Sequence, residues 1–355
     1  MFKKMPQSSS EMYGMVLSAS IRALKLNTYM DNFDADRFNM DGKDHSEEFN
    51  SSVNAYYFDW FFKNANNLYS AFVLLDSDDS RVLYLYLIAF RLAGHFSVKI
   101  PVGFNKSSNE YQKFKEIETG CESLLESKYL FKGLKHFDYL YDEKRYVIDC
   151  MGLEYYLCRH QYYYHVDGIK IQPVEGDYVV DGGACLGDSA LVFSQSVGEK
   201  GRVYAFDPVA DHIDVIKFNI KQFPLKNVDV MPFGLSDKNI YCDPIVINTY
   251  APGFSANNHR VPLRSIDDLV ATGAIERVDF IKLDIEGSEL EALRGAHETI
   301  LKFKPKLAIS LYHKPDDIFG IILYLKENYD FYEMYIDHYT IHQEETVLYC
   351  INRSF

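Results

Sequence analysis

The fold of this chain is decided by the stretch Asp177-Tyr178-Val179-Val180-Asp181-Gly182-Gly183-Ala184-Cys185-Leu186-Gly187-Asp188, which an apolar-periodic run to Val197 follows. A short run of β-branched and aromatic residues that breaks into glycines and resumes at helical period predicts a strand, a tight turn and a helix. Glycines at such a turn let the backbone approach a bound molecule, and the N–H groups that open the helix point towards it. The segment is therefore a candidate ligand-binding turn.

The spacing of the glycines narrows the class of ligand. A dinucleotide fingerprint reads G-x-G-x-x-G, whereas this turn reads D-x-G-x-x-x-G from Asp181 through Gly183 to Gly187. A second predicted strand ends at Asp207, where α/β nucleotide sites hold a ribose. Two acids would repel a pyrophosphate but would favour a sulfonium, an α-amino group and a ribose diol. These features predict S-adenosylmethionine as the cofactor; the alternative is a turn whose glycines serve geometry only.

Length, composition and charge exclude several classes of protein. With 355 residues and a hydrophobic fraction of 47%, the chain is long enough for one large domain or two modest ones. Its formal net charge of −14 argues against a nucleic-acid partner or an anionic membrane, since both need a basic surface. The most apolar segment, Val82 to Gly94, is too short to span a bilayer and contains Arg91. The cysteines form no C-x-x-C pair and no apolar signal region opens the chain, so we expect a cytoplasmic protein.

The sequence pattern changes twice along the chain. Residues 1–140 carry helical periodicity and predict a small, mainly helical cap or oligomerisation domain. Residues 141–175 alternate between apolar and polar and predict a connector with short strands, and residues 176–355 predict the ligand-binding domain. In the first region a polar loop is predicted over 31–52, and helices are predicted over 11–26, 53–75, 82–92 and 109–127.

From Glu175 onward strands and helices alternate, which implies βαβ units and a parallel sheet. The predicted fold class is therefore α/β: a doubly wound, Rossmann-like sheet with an antiparallel C-terminal edge, preceded by the smaller helical domain. Residues 239–265 break the alternation and predict an inserted hairpin or loop over the sheet edge. Strands are predicted over 178–182, 203–207, 228–233, 278–284, 306–312, 332–337 and 346–352, and helices over 188–197, 211–222, 288–302 and 316–328.

Charged residues gather where the fourth and fifth predicted strands end, which is the edge at which open α/β sheets bind ligands. Lys282, Asp284 and Glu286 alternate along the fourth strand and share one side of it, and His313 and Asp317 follow the fifth strand. Methyl transfer to an alcohol needs a base for the hydroxyl proton. The candidate catalytic residues are His313 and Glu286 as bases, Asp284 as orienter, metal ligand or cofactor contact, and Lys282 beside them.

Two alternatives stand beside this catalytic interpretation. Glu286 and Glu289 would simply satisfy a helix N-terminus, and His313 would be a hydrogen-bonded loop histidine. Asp284, Glu286 and Asp317 also carry the hard oxygen ligands that Mg²⁺ prefers, but no spacing demands an ion. Metal dependence is therefore left open.

Residues from about 175 to 350 resemble the FkbM family of S-adenosylmethionine-dependent methyltransferases. The block Ile-Lys-Leu-Asp-Ile-Glu-Gly at 281–287 is the most specific part, because many methyltransferases share the glycine turn. The resemblance covers about half of the chain. It is carried by the segments 179–188, 205–208, 233–237, 279–289 and 311–317.

This resemblance implies O-methylation of a hydroxyl, on a sugar of a glycan or on a glycosylated small metabolite. Asp207 stands where the family more often has Glu, which keeps a carboxylate for the ribose diol but shortens its reach. The competing functions are an NAD-dependent nucleotide-sugar oxidoreductase and a non-catalytic scaffold, and a homo-oligomer built by the helical region is a further expectation. By position, the implied cofactor contacts are Asp181, Gly182, Gly183, Gly187, Asp188, Asp207, Pro208, and Ser236 or Asp237 near the adenine.

Overall fold

The structure is a computed structural model that describes residues 1–29, 32, 52–102, 109, 112, 116, 121–123, 125, 134–223, 225–242 and 261–353. The chain divides into two compact units. The first is formed by Met1–Phe104 with Leu311–Leu348, and the second by Asn105–Ser310 with Tyr349–Phe355. The domain boundaries predicted near residues 140 and 175 remain predictions, because they concern domains that fold independently.

The described residues form ten helices. They are α1 (Ser9–Leu26), α2 (Ser52–Val73), α3 (Asp78–Ala93), α4 (Glu154–Leu157), α5 (Asp188–Val197), α6 (Ala210–Gln222), α7 (Ile266–Ala271), α8 (Glu289–Arg294), α9 (His297–Phe303) and α10 (Asp317–Asn328).

The same residues form fifteen strands. They are β1 (Cys121–Glu122), β2 (Lys135–Tyr141), β3 (Lys144–Cys150), β4 (Tyr164–Val166), β5 (Ile169–Ile171), β6 (Tyr178–Gly182), β7 (Arg202–Phe206), β8 (Val228–Met231), β9 (Gly234–Leu235), β10 (Ile240–Cys242), β11 (Val261–Arg264), β12 (Phe280–Leu283), β13 (Lys306–Ser310), β14 (Tyr332–His338) and β15 (Thr346–Asn352).

The first unit contains the helices predicted at the start of the chain, and their ends follow capping rules. α1 begins where the Ser8 side chain accepts the N–H of Glu11, and α3 begins where Ser77 accepts the N–H of Ser80. Gly94 ends α3 with a φ of 77°, a conformation that glycine adopts readily. None of the described helices is long and apolar enough to cross a bilayer.

The second unit opens with a small antiparallel sheet of β1, β2 and β3. Strand β2 was not predicted from the sequence, because its polar residues obscure the alternation of apolar and polar positions that is typical of a strand. The helix predicted over 109–127 lies mostly outside the described residues, and its end is wrong, since Cys121 and Glu122 pair with β2. The strands predicted in the connector are confirmed as β3, β4 and β5.

The central sheet confirms the predicted α/β class. Its strand order is β14-β15-β13-β12-β6-β7-β8, and the neighbours from β13 to β8 pair in parallel. β14 and β15 are adjacent and joined only by residues 339–345, which is too short for a parallel crossover and so makes an antiparallel edge. The chain order reverses between β6 and β12, which makes their carboxyl ends the switch point where such sheets bind ligands.

Two local predictions need correction or completion. The helix expected over 288–302 is two helices, α8 and α9, because the backbone of Gly295 approaches another segment closely: a Cβ there would lie 2.1 Å from the carbonyl oxygen of Ser236. The insertion over 239–265 is a hairpin at its described base, where β10 and β11 pair antiparallel. Residues 243–260 lie outside the described part of the chain.

Candidate active site

The site lies in the second unit, at the switch point between β6 and β12. Asp181 and Lys282 are register partners on these neighbouring strands. Alternation turns both side chains to the same face of the sheet, where Lys282 Nζ lies 3.1 Å from Asp181 Oδ1. The two side chains are 0% and 1% exposed, so this ion pair is shielded from solvent.

The ammonium group of Lys282 contacts several other groups. It donates to the carbonyl oxygen of Gly183 at 2.7 Å, and its Nζ lies 5.2 Å from the ring centroid of Tyr162. Burial acts most strongly on the Lys282 pKa and lowers it, but Asp181, Asp284 and Asp188 together outweigh burial and raise the pKa. Lys282 is therefore a fixed positive charge surrounded by carboxylates, not a neutral base.

The glycine turn is shaped by one close approach of two backbones. Gly183 has a φ of +78°, and a Cβ on it would lie 1.8 Å from the carbonyl oxygen of Asp284. Only glycine fits such a position. A Cβ on Gly182 would meet the Leu283 side chain at 2.8 Å, and one on Gly187, which has a φ of +87°, would meet Ile216 at 3.4 Å. Gly182 thus lies tightly against β12, and the positive φ of Gly187 favours glycine there. The contact of both residues with a cofactor remains a prediction.

Asp181 and Asp284 are each held by a hydroxyl group. Ser189 Oγ donates to Asp181 Oδ2 at 2.7 Å, and the Tyr162 hydroxyl donates to Asp284 Oδ2 at 2.7 Å. Ser189 lies in the first turn of α5, whereas Tyr162 comes from the connector before β4. The connector thus supplies a side chain to the carboxyl edge of the sheet.

The loop after β12 is held by Glu289, the first residue of α8. Glu289 Oε1 accepts the N–H groups of Ile285 at 2.8 Å and Gly287 at 3.4 Å, which belong to the loop before α8 and not to the helix itself. Glu286 has a φ of 58°, a left-handed conformation that is uncommon for a residue with a side chain. Its assignment as a base remains a prediction.

Asp207 is tied to the glycine turn. Its Oδ2 accepts the N–H of Cys185 at 3.0 Å, and its Oδ1 accepts the N–H of Val209 at 2.8 Å and lies 3.0 Å from His212 Nδ1. A carboxylate has about four acceptor positions, and these contacts use three. Asp207 therefore fixes the turn as well as keeping acceptor capacity for a ligand hydroxyl.

The remaining predicted cofactor contacts lie on the loops beyond β7 and β8. Pro208 packs near Gly234, whose Cβ would lie 3.7 Å from the proline ring. The Ser236 N–H donates to the carbonyl of Arg264 at 3.0 Å, and Ser236 Oγ lies 3.3 Å from Asp237 Oδ1. Asp237 is exposed. Their contact with a cofactor remains a prediction.

Two predicted residues belong to the first unit: His313 lies between β13 and α10, and Asp317 is the first residue of α10. His313 is half-buried, and Asp317 Oδ2 accepts the N–H of Lys314 at 2.8 Å. Their participation in one site with Asp284 and Glu286 therefore stays a prediction. Within the described residues, no group of three or more His, Cys, Asp and Glu side chains has the arrangement of a metal site.

Sequence reasoning missed four side chains of this site: Tyr156, Tyr162, Ser189 and His212. The run of tyrosines at 162–164 is the one sequence signal that points to Tyr162. Tyr156 donates to Asp188 Oδ1 at 3.4 Å, and its pKa is raised well above the usual value by burial first and then by the negative charge of Asp188 and Asp284.

The raised pKa of Asp188 is expected to make the stability of the protein depend on pH. Its pKa is raised to about 6, by burial first, with the charge of Asp181 adding to it, although hydrogen bonding and Lys282 oppose the rise. An unfolded Asp ionises near pH 4 (about 3.9), so between about pH 4 and pH 6 the folded state keeps a proton that the unfolded state has lost. The free energy of unfolding should therefore fall as pH rises through this window. The Asp188→Asn variant should be more stable than the parent at pH 7, by on the order of 1–3 kcal/mol.

Urea unfolding at about pH 4, 5, 6 and 7 measures this effect. The matched control is Asp211→Asn, which removes the acid from the first turn of the neighbouring helix α6. A favourable helix-dipole contact should make that variant slightly less stable. If Asp188→Asn also lowers stability at pH 7, burial does not govern the ionisation of Asp188.

Parts of this chain are similar to known proteins. The family profile of the methyltransferase FkbM domain matches residues 181–336. The hexuronic acid methyltransferase AglP of Haloferax volcanii is 30% identical over 125 residues, which are 34% of this chain and 50% of that protein. The AMB antimetabolite synthetase AmbE of Pseudomonas aeruginosa is 24% identical over 200 residues, which are 43% of this chain and 9% of that protein. The chain thus spans half or less of the curated relatives it matches.

A solved structure shares the fold. The methyltransferase FkbM from Methylobacillus flagellatus KT superposes with a TM-score of 0.53 at 21% identity, covering 82% of this chain and 60% of that one. The matched segment, residues 181–336, begins at the buried Asp181 and includes the glycine turn, Asp207 and the Lys282–Asp284 segment. Over these residues the chain is similar to the FkbM methyltransferase family.

Proposed function

We propose that this protein is an S-adenosylmethionine-dependent O-methyltransferase that acts on a hydroxyl of a sugar, of a glycan or of a glycosylated small metabolite. The observation that carries the proposal is the glycine turn at the switch point of the sheet, where Gly183 packs on the Asp284 backbone and three carboxylates surround one ammonium. The similarity to a hexuronic acid methyltransferase supports a sugar acceptor.

The residues at the turn fit this cofactor. S-adenosylmethionine carries a sulfonium and an ammonium, and the side chains of Asp181, Asp188 and Asp284 supply more negative charge than Lys282 neutralises. Asp207 retains acceptor capacity for a ribose hydroxyl. The cationic groups of the cofactor would thus meet carboxylates, whereas a pyrophosphate would meet repulsion.

The chain's own residues would then position the acceptor and remove its proton. When bound, the cofactor supplies an electrophilic methyl group. The acceptor hydroxyl would lose its proton to a base of the chain, for which His313 and Glu286 are the candidates, and its oxygen would take the methyl group with release of the demethylated cofactor. The buried Lys282 and Asp181 keep the turn rigid, which limits reorganisation during the reaction.

The experiment that tests the proposal is calorimetric titration with S-adenosylhomocysteine and, separately, with NAD. Micromolar binding of the first and none of the second is the expected result. Incubation with methyl-labelled S-adenosylmethionine and saccharides that contain a hexuronic acid should then yield a methyl ether, identified by mass spectrometry. Binding of NAD alone would favour the oxidoreductase, and cofactor binding without transfer to any acceptor would favour a scaffold.

The base assignment has its own test. His313→Ala or Glu286→Gln should lower turnover tenfold or more, which is about 1.4 kcal/mol of transition-state stabilisation, while S-adenosylhomocysteine affinity stays near that of the parent. The smaller effect on binding is expected because a base contacts the acceptor. Single-turnover methyl transfer at saturating cofactor measures the loss. If neither change lowers turnover more than a few-fold, another group is the base.

Metal dependence, partners, location and oligomeric state were also predicted from the sequence and are part of this proposal. A chelator followed by added Mg²⁺ would test metal dependence. The absence of a nucleic-acid partner, a cytoplasmic location and a homo-oligomer built by the N-terminal helices remain predictions. Each can be measured without knowing the acceptor.

A further inference from the structure

Tyr162 adopts a backbone conformation that needs external support. Its φ is 71°, in the left-handed region that a residue with a bulky side chain rarely occupies. Such a conformation is unfavourable for a residue with a side chain and persists only where surrounding contacts impose it. Strain of this kind at a ligand-binding edge is a reason to look for a role.

The contacts that impose this conformation are buried or partly buried. The Tyr162 N–H donates to the Tyr349 hydroxyl at 2.9 Å, and the side chain of Tyr162 is 1% exposed. Its ring lies over Lys282, and its hydroxyl donates to Asp284 Oδ2 at 2.7 Å. The strained backbone thus brings one ring to the ammonium of Lys282 and one O–H to the carboxylate of Asp284.

Asp284 is the residue whose backbone approaches the glycine turn closely. Its carbonyl oxygen faces Gly183, and its N–H donates to the carbonyl of Gly182 at 3.1 Å. Its backbone is therefore fixed against the glycine turn, and the hydrogen bond from Tyr162 fixes its side chain. A carboxylate held in this way is preorganised for a cation that enters beside the turn.

We infer that Tyr162 is a positioning residue that holds the Asp284 carboxylate for the α-ammonium group of the methyl donor. This inference rests on the proposed function. It assigns recognition of the amino-acid end of the cofactor to Asp284 and to a tyrosine outside the family-matched segment. The adenosine end is recognised independently of Tyr162.

The test separates the two ends of the ligand. S-adenosylhomocysteine carries the amino-acid chain, whereas methylthioadenosine keeps the adenosine and the sulfur but lacks that chain. In Tyr162→Phe the ring over Lys282 remains and the hydrogen bond to Asp284 is lost. We expect affinity for S-adenosylhomocysteine to fall about tenfold, that is about 1.4 kcal/mol, and affinity for methylthioadenosine to stay unchanged.

Tyr163→Phe is the matched control. This adjacent tyrosine has its hydroxyl 2.9 Å from Ser196 Oγ, so the variant also loses a hydrogen bond of a tyrosine hydroxyl but does not touch Asp284. Both ligands should bind it as they bind the parent. Asp284→Asn gives a second route, because it keeps an acceptor for Tyr162 but removes the charge, and it should weaken only S-adenosylhomocysteine.

The outcomes are distinguishable. If the parent binds S-adenosylhomocysteine but Tyr162→Phe and Asp284→Asn keep its affinity, the inference is wrong and the proposed function stands. An equal loss of both ligands in Tyr162→Phe shows a structural role only, and likewise overturns the inference. If the parent binds neither ligand, the proposed function itself fails and the inference falls with it.

Discussion

Gly183→Ala is expected to abolish measurable binding of S-adenosylhomocysteine and to destabilise the protein by about 3 kcal/mol or more. The new Cβ would lie 1.8 Å from the carbonyl oxygen of Asp284, and this obstacle is backbone that cannot rotate away. The turn must therefore separate from β12. Separation would also displace the Gly183 carbonyl from Lys282 and the Asp284 carboxylate from Tyr162, so the site would lose its geometry together with its stability.

Calorimetric titration and urea unfolding measure the two effects. Gly273→Ala is the matched control, because Gly273 has a nearly identical φ of +76° but a Cβ there would meet no atom within 4 Å. That variant carries the backbone strain alone and should lose only about 1 kcal/mol of stability. Should Gly183→Ala behave like Gly273→Ala in both measurements, the close approach to Asp284 does not control the site.

Lys282→Met is expected to destabilise the protein by about 3–5 kcal/mol, because it leaves buried carboxylates without their ammonium. Asp181, at 0% exposure, loses its ion-pair partner at 3.1 Å, and the carbonyl of Gly183 loses a donor at 2.7 Å. The double variant Asp181→Asn with Lys282→Met should recover at least about 1 kcal/mol, because the buried charge disappears with its partner.

A second lysine of the same sheet provides the comparison. Lys306 Nζ lies 2.7 Å from Asp177 Oδ2 and donates to the carbonyl of Gln172 at 2.7 Å, so it has the same kinds of partners. This pair lies at the opposite end of the strands and is 21% and 14% exposed. Lys306→Met should cost about 1 kcal/mol or less. Equal losses for the two lysines, measured by urea unfolding, would mean that burial does not set the strength of the Lys282 pair.

Local sequence pattern was sufficient for much of the fold. Strand β6 and helix α5 have the predicted bounds, because β-branched residues before a glycine turn and an apolar period after it leave few alternatives. The α8–α9 break was not predictable, since the constraint on Gly295 comes from the backbone of Ser236, distant in sequence. The sequence likewise predicted which charged residues lie around the turn, but not which of them contact one another.

The sequence by itself determined the class of sheet, the position of the glycine turn and the concentration of acids near it, because these depend on local periodicity and on strand ends. Tertiary structure alone decided which charges pair. The register of β6 against β12 placed Lys282 beside Asp181, and the connector delivered Tyr162 to Asp284. Such pairings join residues about a hundred positions apart or more, as for Asp181 and Lys282, and no local propensity encodes them. They arise only when packing buries the groups and makes an unpaired charge costly.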